Sequence, residues 1–186
     1  MTTLIRFPDR IANWKTLVFL LVIYVSFPAY WFKQAETTIN QLAGKPVGPI
    51  DLTFGFNPNR TRQMVANYGP EARAYYTRTE LTTDLIYPIV YSFLLAVVLT
   101  MLFRNKPYKP FAWVMLLPFA SLIFDYLENA TIVTMLQTYP DESIGVAVLC
   151  ELFKLAKWFS FGLTIVFIFY GLFQLIGRQV QPTKQR

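Results

Sequence analysis

Four long apolar blocks constrain the fold of this chain more than any other feature of its sequence. They cover residues 16–32, 85–103, 111–136 and 146–176. Each block reaches or exceeds the roughly 17 residues that a helix needs to cross the hydrocarbon core of a bilayer. A soluble domain would interleave its apolar residues with charges every few positions. We therefore predict an all-α membrane protein, a single domain built as a bundle of four transmembrane helices.

Composition excludes several classes of function. The chain has no histidine, which excludes histidine-ligated haem, zinc sites that use histidine, and catalysis by imidazole. Cys150 is the single cysteine, so no intrachain disulfide can form. The formal net charge of +6 lies mostly beside the apolar blocks, without the basic stripe that nucleic-acid binding needs. We expect no metal, no cofactor and no nucleic-acid partner.

Lysine and arginine predict the orientation, because short cytoplasmic segments are enriched in them. The segments before the first block, after the second and after the fourth are basic. The short loop after the third block has Asp141 and Glu142 and no positive charge. We therefore expect both termini in the cytoplasm, and the protein itself in a bacterial inner membrane. The basic residues that indicate this are Arg6, Arg10, Lys15, Arg104, Lys106, Lys109, Arg178, Lys184 and Arg186.

Residues 34–83 form the one sizeable polar segment, which this orientation places outside the cytoplasm. Roughly 50 residues without a disulfide are too few for a robust core, so we expect a cap packed on the helix ends. Residues 50–56 alternate weakly and favour an extended stretch. Asn57 favours a helix start and Gly69 a stop, and Pro70 favours a second helix that runs directly into the second span.

Polar residues interrupt the apolar pattern of the third and fourth blocks. Asp125, Glu128 and Asn129 stand at i, i+3 and i+4, which places them on one helix face. Lys154 and Lys157 share a face of the fourth block. Counting about 1.5 Å per residue from the outer helix ends puts both sets at the same depth. We therefore predict that Asp125 meets Lys157, and that Glu128 meets Lys154.

Buried charges of this kind have two interpretations. Each costs at least about 2.5 kcal/mol at the bilayer centre, so it faces the bundle interior and by default indicates a functional site. The alternative is an ion-pair lock that fixes helix register without binding anything. Secondary candidates are the outer-half residues Asp84, Tyr87 and Tyr91, with Arg73 near the mouth and Glu151 beside the lysines.

Three functions are consistent with these sequence features. The first is an outer-facing intramembrane polar site that binds or translocates a small cation, a proton or a lipid-like ligand. The second is a membrane-embedded enzyme acting on a lipid or isoprenoid, with Asp125 and Glu128 as an acid–base pair. The third is an accessory or assembly subunit of a membrane complex. Membrane lipids are expected partners, and a pore would require a homo-oligomer because four spans are few.

Residues 68–130 resemble a pattern found in uncharacterised four-span bacterial membrane proteins. The resemblance covers about a third of the chain and implies the four-span architecture. It implies no activity, because no chemistry is assigned to that family. The residues that carry the resemblance are Tyr68, Gly69, Arg73, Tyr76, Asp84, Pro88 and Tyr91, followed by residues 125–129 in the third span.

Overall fold

The structure, a computed structural model, describes residues 11–104, 109–141 and 143–179. Across these residues the chain forms helices and loops and no β-strand. The helices are α1 (Trp14–Ser26), α2 (Phe32–Ala43), α3 (Pro58–Glu80), α4 (Thr83–Phe103), α5 (Leu117–Thr138) and α6 (Ile144–Gln179). A π-helical turn (Phe27–Trp31) joins α1 to α2, and a 3₁₀ segment (Lys109–Leu116) precedes α5.

Four helical segments of the described chain are long and apolar enough to cross a membrane, which confirms the predicted four-helix bundle. The first comprises α1, the π-helical turn and α2, and we call it the first span. The second combines α3 and α4 (Pro58–Phe103), and its apolar part is α4. The third is α5 with the end of its 3₁₀ segment, and the fourth is α6 as far as Ile176. All four extend beyond the predicted limits: the first span runs from Trp14 to Ala43, the second includes α3, the third ends at Thr138 and the fourth begins at Ile144.

Side-chain exposure is inverted relative to a soluble protein. Large apolar side chains such as Phe19, Phe159 and Phe173 are exposed, while carboxylates and lysines lie inside the bundle. Lipid tails solvate exposed apolar side chains at no cost, whereas a charge in the hydrocarbon region must find a partner inside the protein. The exposure pattern therefore fits a membrane-embedded bundle.

Pro28 lies at the start of the π-helical turn in the first span. Proline provides no backbone N–H, and wide π-type turns are a common adjustment where the normal hydrogen-bond ladder is interrupted. Beyond this turn α2 becomes polar outside and packs its buried Ala35 and Ile39 against α3. It ends at Gly44, whose φ of 67° is the left-handed conformation that glycine adopts most readily at a helix end.

Helix α3 forms most of the predicted cap. Asn57 caps its N-terminus by accepting a hydrogen bond from the Arg60 backbone N–H at 3.0 Å. Gly69 interrupts it with φ 73° and ψ 166°, a conformation essentially restricted to glycine, just before Pro70. The cap core includes Tyr68, Tyr76 and Ile50 and is continuous with Ile132, Met135, Ala147 and Cys150 of α5 and α6. The cap therefore packs on the helix ends, as predicted.

Two local predictions about the cap are wrong. The second half of α3 does not run into the second span, because α3 ends at Glu80 and a turn at Leu81 and Thr82 precedes α4. Residues 50–56 form turns instead of a strand. Ile50 is fully buried there, and its backbone N–H donates to Tyr76 Oη at 3.0 Å. The burial of Ile50 and this hydrogen bond anchor the segment without strand pairing.

Short polar contacts hold the spans together below the cap. Ser121 Oγ donates to Ser160 Oγ at 2.9 Å between α5 and α6, and Ser92 Oγ donates to the Pro118 carbonyl at 2.9 Å. Small hydroxyl side chains are typical of helix contacts inside membranes because they allow close approach. At the end of the bundle away from the cap, Gly171 of α6 lies directly against Leu102 and Phe103 of α4.

Candidate functional site

The α5 and α6 faces meet through one buried lysine. Lys157 Nζ lies 2.5 Å from Glu128 Oε2 and 3.6 Å from Asp125 Oδ1. Glu128 is fully buried, and Asp125 and Lys157 are less than one-tenth exposed. The predicted meeting of Asp125 with Lys157 is confirmed, and the same lysine also binds Glu128.

The predicted pairing of Glu128 with Lys154 is wrong. Lys154 Nζ instead lies 2.7 Å from Glu151 Oε1 and donates to Thr53 Oγ1 of the cap at 2.7 Å. Helix α6 has 36 residues, which at about 1.5 Å each is much longer than the roughly 30 Å hydrocarbon core. Its first turns belong to the cap, so counting depth from its start placed Lys154 too deep.

We call Asp125, Glu128 and Lys157 the central cluster. Glu151 connects α6 to the cap and takes no part in this cluster. Its carboxylate accepts from Thr61 Oγ1 at 2.5 Å, from the Asn57 backbone N–H at 3.1 Å and from Lys154. We call this set of contacts the cap latch. With two hydroxyl or backbone donors and one ammonium group, the buried Glu151 carboxylate is well satisfied.

The secondary candidates on α4 join the cluster from its other side. Tyr91 Oη donates to Asp125 Oδ2 at 2.9 Å, and Asn129 Nδ2 donates to Asp84 Oδ2 at 3.1 Å. Tyr87 packs against the Tyr91 ring, with ring centroids 5.4 Å apart. The spacing of Asp84, Tyr87 and Tyr91 therefore does place them toward the cluster.

Arg73 lies elsewhere. Its guanidinium group stacks 4.0 Å above the Tyr139 ring, and it donates to the Val65 carbonyl at 3.4 Å. Arg73 is not among the residues that line the cavity described next. This predicted candidate is therefore not brought to the site.

A cavity of about 540 Å³ lies beneath the cap, between the first span, α4, α5 and α6. The predicted site residues on its wall are Asp84, Tyr87, Tyr91, Asp125 and Lys157. The other predicted residues lie outside the wall, namely Glu128, Asn129, Glu151, Lys154 and Arg73. Glu128 thus acts on the cavity through Lys157, not directly.

Sequence reasoning missed Glu80, the last residue of α3. It lines the cavity, is 3% exposed, and its Oε2 has no hydrogen-bond partner among the described residues. A glutamate in a polar cap helix is normally solvated, so nothing in the local pattern distinguishes it. The one available signal was its spacing of four residues from Asp84, and the turn at Leu81 and Thr82 breaks the helix on which that spacing depends.

The cluster carries more negative than positive groups. Four buried carboxylates, those of Glu80, Asp84, Asp125 and Glu128, surround the one buried ammonium group of Lys157. If all were ionised, three negative charges would remain uncompensated in this part of the described structure. Buried charges without partners cost several kcal/mol each, so protons or a bound cation must balance the excess. The site is suited to bind positive charge.

Aromatic rings form a chain of contacts along the cavity wall. Tyr87 lies 4.9 Å from Phe32 and 5.6 Å from Tyr24 of the first span, measured between ring centroids. On the other side, the Tyr91 centroid lies 5.8 Å from that of Phe161, and Trp158 follows at 6.1 Å from Phe161. The faces of aromatic rings carry partial negative charge and attract cations.

Comparisons of the chain with protein families, curated proteins and solved structures gave no significant match. Within residues 11–104, 109–141 and 143–179, no group of three or more histidine, cysteine or carboxylate side chains is arranged to hold a metal ion.

Proposed function

We propose that this chain is a multi-pass protein of a bacterial inner membrane, with both termini in the cytoplasm, whose outer-half cavity binds a small positively charged ligand. One observation carries the proposal: carboxylates outnumber cations on the cavity wall, where Glu36, Asp51, Glu80, Asp84 and Asp125 lie with Lys33 and Lys157. The basic residues of the segments before the first apolar block, after the second and after the fourth support the orientation.

The size and walls of the cavity support a small organic cation over a bare ion. Its volume of about 540 Å³ lies in the range of roughly 300–1,000 Å³ that is typical of small-molecule sites. A bare inorganic cation would need several oxygen ligands converging on one point, and the carboxylates here are spread from Glu80 to Asp125. Tyr87, Tyr91 and Trp158 provide ring faces for an ammonium group.

Proton exchange accompanies binding in this proposal. Without a ligand, protons neutralise the carboxylates that Lys157 does not balance, since an isolated buried charge is neutralised in preference to being left unpaired. A bound cation replaces one or more of these protons. Binding should therefore release protons and strengthen as pH rises.

The Lys157 contacts favour a structural role for part of the cluster. Lys157 joins Glu128 and Asp125 of α5 to α6, and Glu128 does not reach the cavity. Glu128 and Lys157 therefore fix the register of the two helices. Glu80, Asp84 and Asp125 present their carboxylates to the ligand.

The test compares what co-purifies with the protein in nanodiscs, measured by mass spectrometry. Wild type and Glu71→Gln should retain the same cationic molecule, because Glu71 is an exposed glutamate of the same helix as Glu80 and lies outside the cavity. Glu80→Gln and Asp84→Asn should lose it while keeping the helical content of the wild type. Identical co-purified molecules in all four proteins would refute the proposal.

A further inference from the structure

The cavity lies between two spans that are not packed side by side. The first span packs on α3 and α4, and α6 packs on α3, α4 and α5, whereas contact between the first span and α6 is at most marginal in the described chain. Both nevertheless line the cavity, through Pro28 and Phe32 on one side and Trp158 and Phe161 on the other. We call the space between these two spans the gap.

The height of this gap is set by α4. Asp84 lies one residue inside the start of α4, and Tyr91, which binds Asp125, lies seven residues further along. At about 1.5 Å per residue, Asp84 and Tyr91 lie within roughly 12 Å of the outer end of this span. The exposed Tyr30 and Trp31 of the first span mark the same outer region, where such rings anchor at the membrane interface.

Three apolar side chains of the cap loop are exposed near the gap. Leu52, Phe54 and Phe56 are 56%, 80% and 50% exposed, although they belong to the polar insertion. The Phe54 ring lies 5.6 Å from the Trp158 ring, and Leu52 lines the cavity. Exposed apolar side chains clustered at a cavity mouth are typical of a surface that contacts lipid or an apolar ligand.

We propose that this gap is a lateral portal, through which a membrane-dissolved amphiphile with a positively charged head group reaches the carboxylates. The head group would lie against Glu80 and Asp84, and the apolar tail would remain between Phe32 and Trp158 and continue into the bilayer. The inference rests on the proposed function and specifies its ligand class. A water-soluble amine arriving from outside is the competing source of the same head-group chemistry.

Charge and polarity on the two sides of the cavity support this assignment. The carboxylate excess and the unpartnered Glu80 Oε2 lie inside, whereas the sides of the gap are aromatic and apolar. An amphiphile satisfies both regions together, because its head neutralises the carboxylates and its tail stays in hydrocarbon. A small hydrophilic amine would leave the aromatic sides of the gap uncovered.

The experiment uses the full chain in phosphatidylglycerol nanodiscs, since that lipid contributes no competing amine. The first probe is hexadecyltrimethylammonium carrying a diazirine in mid-chain, and cross-linked peptides are identified by mass spectrometry. The second probe is tetramethylammonium, the same head group without a tail. Its binding is measured as protection of Glu80 from dicyclohexylcarbodiimide.

The portal predicts cross-links to residues 52–56 and to the segment around Trp158. Excess dodecyltrimethylammonium should compete, and dodecanol should not. Cross-linking should fall roughly tenfold or more in Glu80→Gln, the loss expected when a charged partner is removed, and not in Glu71→Gln. Phe54→Ala should reduce cross-linking more than Phe159→Ala does. Phe159 is an exposed ring of α6 outside the cavity.

Each failure points to a different part of the reasoning. If tetramethylammonium protects Glu80 but the long-chain probe labels no portal residue, the portal is wrong and the proposed function stands. If labelling is equal in wild type and Glu80→Gln, the probe is only an annular lipid, and the portal is refuted. If neither probe binds, the portal and the proposed function both fail.

Discussion

Lys157→Gln tests whether the central cluster is as buried and as charged as its geometry indicates. Within the described residues Lys157 is the one cation within 4.0 Å of Asp125 or Glu128. Glutamine keeps a polar side chain of similar length but provides no charge. The substitution therefore leaves a fully buried Glu128 without a counter-ion and also removes the ion pair of Asp125.

The magnitude follows from what Glu128 must then do. Neutralising a glutamate at pH 7, about 2.7 pH units above its ordinary pKa, costs about 3.7 kcal/mol. Leaving it charged is no cheaper, because breaking a buried ion pair costs about 3–5 kcal/mol. We expect the free energy of unfolding to fall by about 3–4 kcal/mol at pH 7. Since protonation is easier in acid, the fall should shrink to about 1 kcal/mol at pH 5.

The assay is unfolding by sodium dodecyl sulphate in mixed dodecyl maltoside micelles, followed by far-ultraviolet circular dichroism. Lys15→Gln is the matched control, because Lys15 is exposed, lies outside the cavity wall and should change stability by less than about 0.5 kcal/mol. The double variant Lys157→Gln/Glu128→Gln should regain more than half of the loss, since it removes the orphaned carboxylate. A cost under 1 kcal/mol at pH 7, or a double variant no more stable than the single one, would show that Glu128 does not depend on Lys157 as a buried counter-ion.

Three further predictions follow from other parts of the molecule. Glu151→Ala removes the acceptor of the cap latch. Backbone amides of α3 should therefore exchange hydrogen faster than in the wild type, measured by hydrogen-exchange mass spectrometry, while those of α4 keep their rates. An exchange rate in α3 equal to that of the wild type would contradict the latch. Gly69→Ala should cost about 1–3 kcal/mol in the same unfolding assay because its backbone conformation suits glycine alone, whereas Gly162→Ala, at a helical position with open space, should cost nothing. In spheroplasts, an impermeant maleimide should label Glu71→Cys but leave Lys106→Cys unlabelled until the membrane is permeabilised, and the reverse pattern would overturn the orientation.

Sequence and structure contributed different parts of the site. Helical periodicity was enough to place Asp125, Glu128 and Asn129 on one face, and Asp84, Tyr87 and Tyr91 on another, because spacing alone decides which residues share a face. The choice of partner depended on relative depth. Lys157 and not Lys154 binds Glu128, since the outer turns of α6 pack into the cap, and no count along the sequence reveals where a long helix leaves the membrane.

The sequence by itself determined the four spans and the inward location of their charged residues, because a bilayer imposes a minimum helix length and penalises exposed charge. Only the tertiary structure decided that Glu80 is buried, since the turn at Leu81 and Thr82 directs α3 across the helix ends and carries that carboxylate over the cavity. The weak contact between the first span and α6 has the same origin. Each helix is apolar enough to face lipid or protein, so composition cannot say which neighbours it packs on, and in the described chain contact between these two spans is at most marginal.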